Sequence, residues 1–585
     1  MRRFPAAFTL VSIFAFSTLL GAESPLLRAM ADELARTMKK LKLSGEMPPY
    51  YVAYRVDDEE TFTITARFGA IVGESSRRER RLYVDLRIGD YEFDNSNFVP
   101  MTDGYRLTLG SQEQFIKLPL DDDYDAIRQK LWLATDERYK EALDLISRKR
   151  AVLAHKEEKE KIADFSRATT WVTVAEPQRL YLDRDLWREN IRQVSNLFRQ
   201  YPKIQTSEVV LSVKSLTRYF IDSDGNRQVT NCPLTYIEVY AHTQDKDGAR
   251  LKDFIGFYGR TPEDLPVLST VIERVKGMAE TLSIYIDVKK GDEYSGPVMF
   301  LGTAAGQFFY QLLGKGVSDV RKPLYESEGV AEKFEEKTGF LYDRLNRPVL
   351  PEGFSVVDDP GITEFAGTPL IGGYTIDDEG VKAERVEVIR KGRLVGLPMS
   401  RKPTKEFKSS NGHGRFFQGR NRSFISNLIV ESEAGVTALE EELLALCKKK
   451  GLDYGIVVTQ LATGLPKTDE EMLEEFYALF AGAGEERPLL DAPLFAYKLY
   501  TDGRKELIKG LKFEGVTLRV LEEEIAATGK EAGVYNALIK GRFGDSYLPV
   551  SIVAPGIIVE RMRLAKKEEA AKKPPFLPHP YFHRR

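Results

Sequence analysis

Segments in which apolar and polar residues alternate, separated by stretches of helical periodicity, predict an α+β fold for this chain of 585 residues. A chain of this length is too long to fold around a single hydrophobic core, so two or three domains are expected. The N-terminal part is expected to mix helices with antiparallel strands that have one solvated face. The C-terminal part, where alternation recurs between Gly353 and Val559, is expected to be a strongly curved antiparallel sheet or barrel around a helix at 304–313.

Capping signals and periodicity predict the N-terminal elements in order. Ser24 can cap a helix, Pro25 suits its first position, and apolar residues recur at helical spacing as far as Leu41. Further helices are predicted at 123–165, 186–201 and 267–282. Strands are predicted at 50–56, 62–68, 82–88, 209–213, 217–221, 236–242 and 254–258, with a hairpin turn at 223–226.

Changes of pattern divide the chain into five segments. These are residues 1–22 (a signal peptide), 23–120 (an N-terminal α+β subdomain), 121–290 (a central subdomain of helices and strands), 291–564 (the C-terminal domain) and 565–585 (a tail rich in proline and lysine). The tail is expected to be extended or disordered because its composition does not support a packed core.

The first residues predict export. Arg2 and Arg3 precede an apolar run at 4–20, and Ala22 offers a small residue at a cleavage point before Glu23. The alternative is a membrane anchor, but the run is short and lacks a stop-transfer pattern. We therefore expect a periplasmic or secreted protein without a stable membrane anchor, cleaved near Ala22/Glu23.

Composition argues against several classes of protein. With 42% hydrophobic residues, 30% charged residues and a formal net charge of -3, the composition is that of an ordinary soluble protein. A nucleic-acid site needs a strong basic stripe with interleaved aromatic residues, which this sequence lacks. The two cysteines, Cys232 and Cys447, lie in different predicted domains, so we expect free thiols and no disulfide framework.

The segment from Gly302 to Gly316 carries the most informative motif. It reads GTAAGQFFYQLLGKG and resembles the metal-binding helix of the TldD/PmbA metallopeptidase family, written AAGxxxHExxGHG. In this resemblance Tyr310 and Lys315 stand at the positions of the two histidines, and Gln311 at that of the glutamate. The family's third zinc ligand is a cysteine in a loop before a strand written LPV, but the loop beginning at Gly541 has no cysteine.

These replacements remove the chemistry of a zinc hydrolase. A catalytic zinc takes about three ligands from His, Asp, Glu or Cys plus a water, whose proton a nearby carboxylate must accept. A lysine ammonium repels the cation, an amide is no base, and a tyrosine of pKa about 10 is a poor ligand at neutral pH. His579 and His583 stand four apart, but Pro580 separates them and no glutamate follows the first. We expect neither zinc nor another cofactor in this chain, so any zinc would belong to a partner subunit.

Other landmarks of the family follow in order along the C-terminal half. They are 294–300, 356–360, 374–380, 388–396, 411–415, 426–427, 500–504 and 508–510. The resemblance makes Asn411, His413 and Asn427 candidate residues of a peptide cleft. Structural alternatives are open: His413 as an exposed loop histidine, Asn427 as a backbone bridge, and the carboxylates 377–379 as a turn in preference to a calcium site.

The resemblance also implies a function. Family peptidases have two subunits, of which a TldD-like chain holds zinc and a TldE/PmbA-like chain does not. This chain resembles the second kind: an exported, catalytically inactive subunit that pairs with a zinc-containing TldD-like homologue or with itself and holds extended peptide by strand addition. Two alternatives are a stand-alone periplasmic peptide-binding pseudoenzyme and a re-purposed enzyme with Tyr310 and Lys315 as an acid/base pair.

Overall fold

The computed structural model describes residues 24–101, 115–154, 161–327, 329, 337–466, 471–473, 477, 488–541, 547–567 and 581. The predicted signal peptide, most of the predicted tail, and the pair His579 and His583 lie outside the described residues. The described residues form an α+β protein, as the sequence predicts, with two large sheets. No helix among them is long and apolar enough to cross a membrane.

The N-terminal part is built on one eight-stranded sheet. Its strands are β1 (Pro49–Arg67), β2 (Ala70–Ile88), β4 (Ile116–Lys117), β5 (Val172–Val174), β6 (Thr206–Asp222), β7 (Arg227–Asn231), β8 (Leu234–Gln244) and β9 (Arg250–Gly259). The short strand β3 (Phe98–Val99) follows β2 in the chain but lies outside this sheet. The strand order is β4-β2-β1-β6-β7-β5, and β8 pairs with β6 and β9. Strands from both predicted subdomains, 23–120 and 121–290, therefore share one sheet.

Four helices cover one face of this sheet. They are α1 (Pro25–Lys40), α2 (Tyr124–Ala154), α3 (Arg184–Asn196) and α4 (Leu268–Tyr285). Ser24 accepts a hydrogen bond from the amide of Leu27 at 3.1 Å and so caps α1. The even-numbered residues of β1 point to this face, because side chains alternate along a strand. Val52 and Val56 pack with α1 and α2, whereas Phe62 and Ile64 pack with α3 and α4.

The C-terminal part is built on a twelve-stranded sheet. The remaining strands of the chain are β10 (Tyr294–Phe300), β11 (Leu324–Tyr325), β12 (Phe354–Asp358), β13 (Glu364–Phe365), β14 (Thr368–Pro369), β15 (Val386–Arg390), β16 (Arg393–Leu394), β17 (Gly414–Phe417), β18 (Arg420–Ser423), β19 (Asn427–Ser432), β20 (Gly435–Val436), β21 (Tyr454–Leu461), β22 (Pro493–Tyr500), β23 (Lys505–Ile508), β24 (Leu511–Glu514), β25 (Ile525–Lys540) and β26 (Tyr547–Lys566). The main path is β16-β15-β12-β19-β26-β10-β21-β22-β23; β24 and β25 also pair with β26, and β20 with β25. The small pairs β3–β11, β13–β14 and β17–β18 lie outside this sheet.

The expectation of an antiparallel sheet or barrel is wrong in part. The pairs β10–β21, β19–β26 and β20–β25 are parallel, and the strands form no closed barrel in the part of the chain that the structure describes. Alternating apolar and polar residues indicate that one face of a strand is covered, but they do not indicate the direction of the neighbouring strand. The order of the strands depends on β26, which pairs with β10, β19, β24 and β25.

Among the described residues, three helices contact this sheet. Two are short: α5 (Leu439–Lys449) and α6 (Arg519–Glu522). The third, called the central helix below, runs from Thr303 to Val317 as Thr303–Phe309, a π-helical turn Tyr310–Gly314, and Lys315–Val317. It contacts β21, β25 and β26, and its side chains belong to the largest hydrophobic core of the described residues.

The odd-numbered residues of β1 point to the other face of the sheet. Charged side chains on this face, from β1 and from neighbouring strands, are buried against the C-terminal domain. Arg218 of β6 donates from Nε to Oδ1 of Asp57 at 2.7 Å and also pairs with Asp378. Burial alone would raise the pKa of Asp378, but the guanidinium groups of Arg218, Arg415 and Arg55 outweigh burial and lower it. The face expected to be solvated is thus an interface between domains made of paired charges.

Arg401 extends this interface and has no exposed surface. Its guanidinium donates to Oδ2 of Asp224 at 2.8 Å and to the carbonyl of Ser166 at 2.9 Å. It also lies over the ring of Phe165, with 3.9 Å from Cζ to the ring centroid. A buried guanidinium destabilises a fold strongly when its partner is removed, so these contacts fix the two domains relative to each other.

Another buried carboxyl group of this interface is that of Asp253 on β9, which lies near the end of β21. It is 5% exposed, and its Oδ1 accepts a hydrogen bond from the amide of Phe254 at 2.7 Å. Nε2 of Gln460 lies 3.5 Å from the same oxygen, and the neighbouring cation Lys252 pairs with Glu471. Burial raises the pKa of Asp253 to about 7 because these two contacts only partly offset desolvation.

We expect Asp253→Asn to remove part of the pH dependence of folding. A carboxyl whose folded pKa is raised from 3.8 to about 7 binds more protons in the folded than in the unfolded protein. The free energy of unfolding of the wild type should therefore fall as pH rises from about 4 to 7, by at most about 4 kcal/mol from this group. Urea unfolding at pH 5 and pH 8 should show a smaller loss in the variant.

Asp247→Asn is the control, because it removes an exposed carboxyl of the β8–β9 turn. An Asp253→Asn protein that keeps the wild-type loss of stability between pH 5 and pH 8 would contradict this account.

Candidate functional site

Two glycines let the central helix lie close to its neighbours. A Cβ on Gly306 would stand 2.3 Å from Cβ of Tyr535 on β25, and a Cβ on Gly314 would stand 2.8 Å from Cδ1 of Ile425. Both distances are shorter than packed carbon atoms adopt. The glycines of the motif at 302–316 therefore have a packing role that does not depend on a metal.

The side chains at positions 310, 311 and 315 face different surroundings. Tyr310 is 4% exposed and belongs to the hydrophobic core. Nζ of Lys315 lies 5.5 Å from the centroid of the Tyr310 ring, which is a cation–π distance. Gln311, at the position of the family's glutamate, is 1% exposed.

The Gln311 amide joins two separate segments of the chain. Its Nε2 donates to Oγ1 of Thr463 at 2.6 Å, and its Oε1 accepts from the amide of Asp491 at 2.8 Å. The Thr463 hydroxyl donates in turn to Oδ2 of Asp491 at 3.0 Å. Because both ends of the amide have partners, Gln311 acts as a structural bridge.

Gln307 makes a second amide bridge four residues earlier. Its Oε1 accepts from the amide of Leu461 at 2.7 Å, and its Nε2 donates to the carbonyls of Leu461 and Thr463, both at 3.3 Å. Gln307, Thr463 and Asp491 also belong to this site, although their sequence does not predict it. The available signal was the pair of glutamines four residues apart, which share one face of a helix.

The residues present at this site do not fit a zinc ion. The phenol of Tyr310, the engaged amide of Gln311 and the ammonium of Lys315 replace the expected donors. Gly541 is buried and directly follows β25; residues 542–546 of its loop lie outside the described residues. In the part of the chain that the structure describes, no three His, Cys, Asp or Glu side chains form a group that could hold a metal ion.

Of the three candidate peptide-cleft residues, His413 and Asn427 are buried and Asn411 is half-buried, so the prediction of His413 as an exposed loop residue is wrong. His413 has no exposed surface, and its Nε2 lies 3.1 Å from Oδ2 of Asp358. Its Nδ1 lies 3.0 Å from Oδ1 of Asn411, whose Nδ2 donates to the carbonyl of Leu397. The glycine-rich sequence suggested a surface loop, but the loop folds inward because Asp358 and Asn411 offer polar partners there.

Asn427 bridges backbone groups, the structural alternative considered for it. Its Nδ2 donates to the carbonyls of Asp359 and Ile362 at 3.1 and 2.8 Å. The preceding residue, Ser426, donates its amide to Asp358 at 3.0 Å. A peptide-binding role for Asn411, His413 and Asn427 stays a prediction.

The carboxylates 377–379 form a buried turn. Oδ1 of Asp377 accepts from the amides of Glu379 and Val381, at 3.0 and 2.8 Å. Burial, followed by the nearby Glu379 carboxyl, raises the pKa of Asp377 well above its usual range. A Cβ on Gly414 would stand 2.3 Å from Oε2 of Glu379, so only glycine fits beside this pair. These contacts match the predicted turn.

The segment that precedes Ser426 is linked to the central helix through Ile425. The amide of Ile425 donates to Oγ of Ser318 at 3.3 Å, and that hydroxyl donates to the carbonyl of Gly314 at 2.8 Å. The region therefore consists of a helix held by amide bridges and a neighbouring cluster of buried polar side chains around Asp358.

Comparison with known proteins identifies relatives of this region and of the whole fold. Residues 296–471 match the family model described as the PmbA/TldA metallopeptidase C-terminal domain. A metalloprotease of Archaeoglobus fulgidus is 26% identical over 149 residues, which make up 26% of this chain and 31% of that protein. The match thus spans about a third of the length of the relative.

Solved structures share the fold over nearly the whole chain. TldE of Thermococcus kodakarensis has a TM-score of 0.54 and 14% identity, covering 92% of this chain and 100% of that one. A candidate modulator of DNA gyrase from Bacteroides thetaiotaomicron has a TM-score of 0.55 and 13% identity, covering 93% and 98%. The match of residues 296–471 to this metallopeptidase domain and the shared fold agree with the ordered motifs of the C-terminal half and support membership of the TldD/PmbA family.

Proposed function

We propose that this metallopeptidase-like protein is a catalytically inactive, exported subunit of a two-component peptidase that acts on unfolded peptides. The observation that carries the proposal is the bridge made by Gln311. A peptidase of this kind needs a carboxylate here to take a proton from water. The amide accepts no proton, and both of its polar atoms already bind Thr463 and Asp491.

The proposed partner is a zinc-containing TldD-like homologue, with self-association as the second arrangement. Support comes from the family and from the fold shared with a protein named TldE. In this proposal the partner holds the zinc, and this chain completes the chamber that holds an extended peptide by strand addition. Asn411, His413 and Asn427 would then hold the chamber wall in place, since His413 and Asn427 are buried and Asn411 is half-buried.

Tyr310 and Lys315 have a packing role that needs no catalysis. Tyr310 is 4% exposed and belongs to the hydrophobic core, and Nζ of Lys315 lies 5.5 Å from the centroid of the Tyr310 ring. This contact stabilises the helix by the attraction between a cation and an aromatic ring. A stand-alone peptide-binding protein would have the same helix. It differs from the proposed subunit in having no partner protein.

We expect the purified chain to bind no stoichiometric zinc and to cleave no unfolded peptide, because the donors and the base are replaced at 310, 311 and 315. Elemental analysis after dialysis, with a casein-type substrate in a parallel assay, checks this. About one tightly held zinc per chain would refute it. Affinity purification from the native envelope, with zinc analysis of the proteins that co-purify, tests the partner.

We expect Tyr310→Phe and Lys315→Met to leave folding and the activity of the partnered complex nearly unchanged, since each keeps most of the apolar volume. Gln311→Ala is the contrasting variant: it leaves the buried groups of Thr463 and Asp491 without their amide partner and should lower stability by about 1–3 kcal/mol. Thermal melting and activity are compared at equal folded fraction. A loss of about a hundredfold in activity with unchanged melting, in either of the first two variants, would favour the re-purposed enzyme.

We expect export with cleavage near Ala22/Glu23, as the basic start and apolar run at 4–20 predict. N-terminal sequencing of protein from the cell envelope should begin near Glu23. An intact Met1 form in the cytosol would overturn the location and weaken the role of a secreted subunit.

A further inference from the structure

The tip of the β1–β2 hairpin carries an aromatic ring in a backbone conformation that glycine favours. Phe68 and Gly69 connect the two strands, and both have positive φ angles, of 49° and 79°. A tight turn of this kind prefers Asn-Gly or Gly-Gly, because a residue with a Cβ is strained at positive φ. A bulky residue persists at such a position when surrounding contacts offset the strain.

Contacts with α3 and the turn that follows it hold this tip in place. The amide of Gly69 donates to Oγ of Ser195 at 3.1 Å. Nε of Arg199 donates to the carbonyl of Phe68 at 3.1 Å, and the guanidinium lies 5.4 Å from the centroid of the Phe68 ring. Arg199 is exposed and Phe68 is half-buried, so both are reachable from outside the N-terminal core. Phe68 and Arg199 are called the hairpin seat below.

Tyr581 occupies the hairpin seat. Its ring centroid lies 5.3 Å from that of Phe68 at an interplanar angle of 79°, the edge-to-face arrangement that aromatic pairs prefer. The guanidinium of Arg199 lies 5.9 Å from the centroid of the Tyr581 ring, within the range of a cation–π contact. Tyr581 is 37% exposed, so most of its surface is covered.

The chain reaches this seat from the C-terminal domain. That domain holds the chain as far as Lys567, just after β26, because the amide of Lys567 donates to the carbonyl of Gly510 at 2.9 Å. Tyr581 lies fourteen residues beyond Lys567, and a chain of that length reaches at most about 50 Å. The four prolines between them limit the conformations of the undocked segment, which lowers the entropy lost on docking.

We propose that residues 568–585 form a strap that fastens the C-terminal domain to the tip of the β1–β2 hairpin, with Tyr581 as its anchoring residue. The chain then connects the two domains at two places, through residues 286–293 and through the strap. An aromatic pair changes an equilibrium constant by a factor of about two to ten, so the strap is a reversible restraint on the relative motion of the domains. The hairpin seat belongs to the N-terminal domain and not to the central helix, so the proposal does not depend on the peptidase role.

Hydrogen exchange of the full chain tests the strap. Tyr581→Ala removes the anchoring ring, and Tyr181→Ala is the matched control, because it removes a tyrosine ring that is 90% exposed. We expect the amides of the hairpin tip, at 67–71, to exchange about twofold to tenfold faster in Tyr581→Ala than in the wild type or in Tyr181→Ala. Equal exchange at the tip in all three proteins would overturn the proposal.

Nitroxide labels give an independent measurement of where the strap lies. The full chain is labelled at Gln200→Cys, an exposed position beside the hairpin seat, and at His583→Cys, two residues beyond Tyr581. We expect a short, narrow distribution of distances that broadens when Tyr581→Ala is added and that persists when labelled protein is diluted with unlabelled protein. A broad distribution with Tyr581 present would contradict the strap. A short distance that is lost on dilution would also contradict it, since the seat would then be filled by a second copy of the chain.

Discussion

The pairing of buried charges between the two sheets is the constraint on which the rest of the structure depends. Arg218 and Arg401 belong to different domains, and each pairs with a carboxylate of the other domain. Arg218 pairs with Asp378, and Arg401 pairs with Asp224. A desolvated guanidinium costs several kcal/mol unless its partners are in place. The domains are therefore fixed in one arrangement by charge as well as by shape, and the helix with its neighbouring turn is held in a defined position.

The central helix packs closely against its neighbours through glycines, and its polar side chains form hydrogen bonds to the protein. Gly306 and Gly314 allow close approach to β25 and to Ile425, as the motif requires whether or not a metal is bound. Gln307 and Gln311 direct their amides at the end of β21 and at Asp491. The glycine contacts and the two amide bridges therefore position this helix without a metal ion.

The sequence predicted those parts of the structure that depend on local chemistry. The cap at Ser24, the turn at 377–379 and the position of the central helix follow from residue types and spacing. It did not predict the parallel pairs of the C-terminal sheet or the single sheet that joins both N-terminal subdomains, since strand order depends on contacts far apart in the chain. His413 was misread as exposed because burial of a polar loop residue depends on a partner, here Asp358, 55 positions earlier in the sequence.

The bonds from Gln311 to Thr463 and Asp491 have a consequence for the segment between these two residues. They join the two ends of the intervening segment at one point on the helix, with the Thr463 hydroxyl and the Asp491 carboxylate 3.0 Å apart. The entropy of closing such a segment grows only slowly with its length, by about 0.6 kcal/mol for each doubling. A change in the length of the segment between these two residues therefore costs the helix little, because both ends of the segment stay fixed at Gln311.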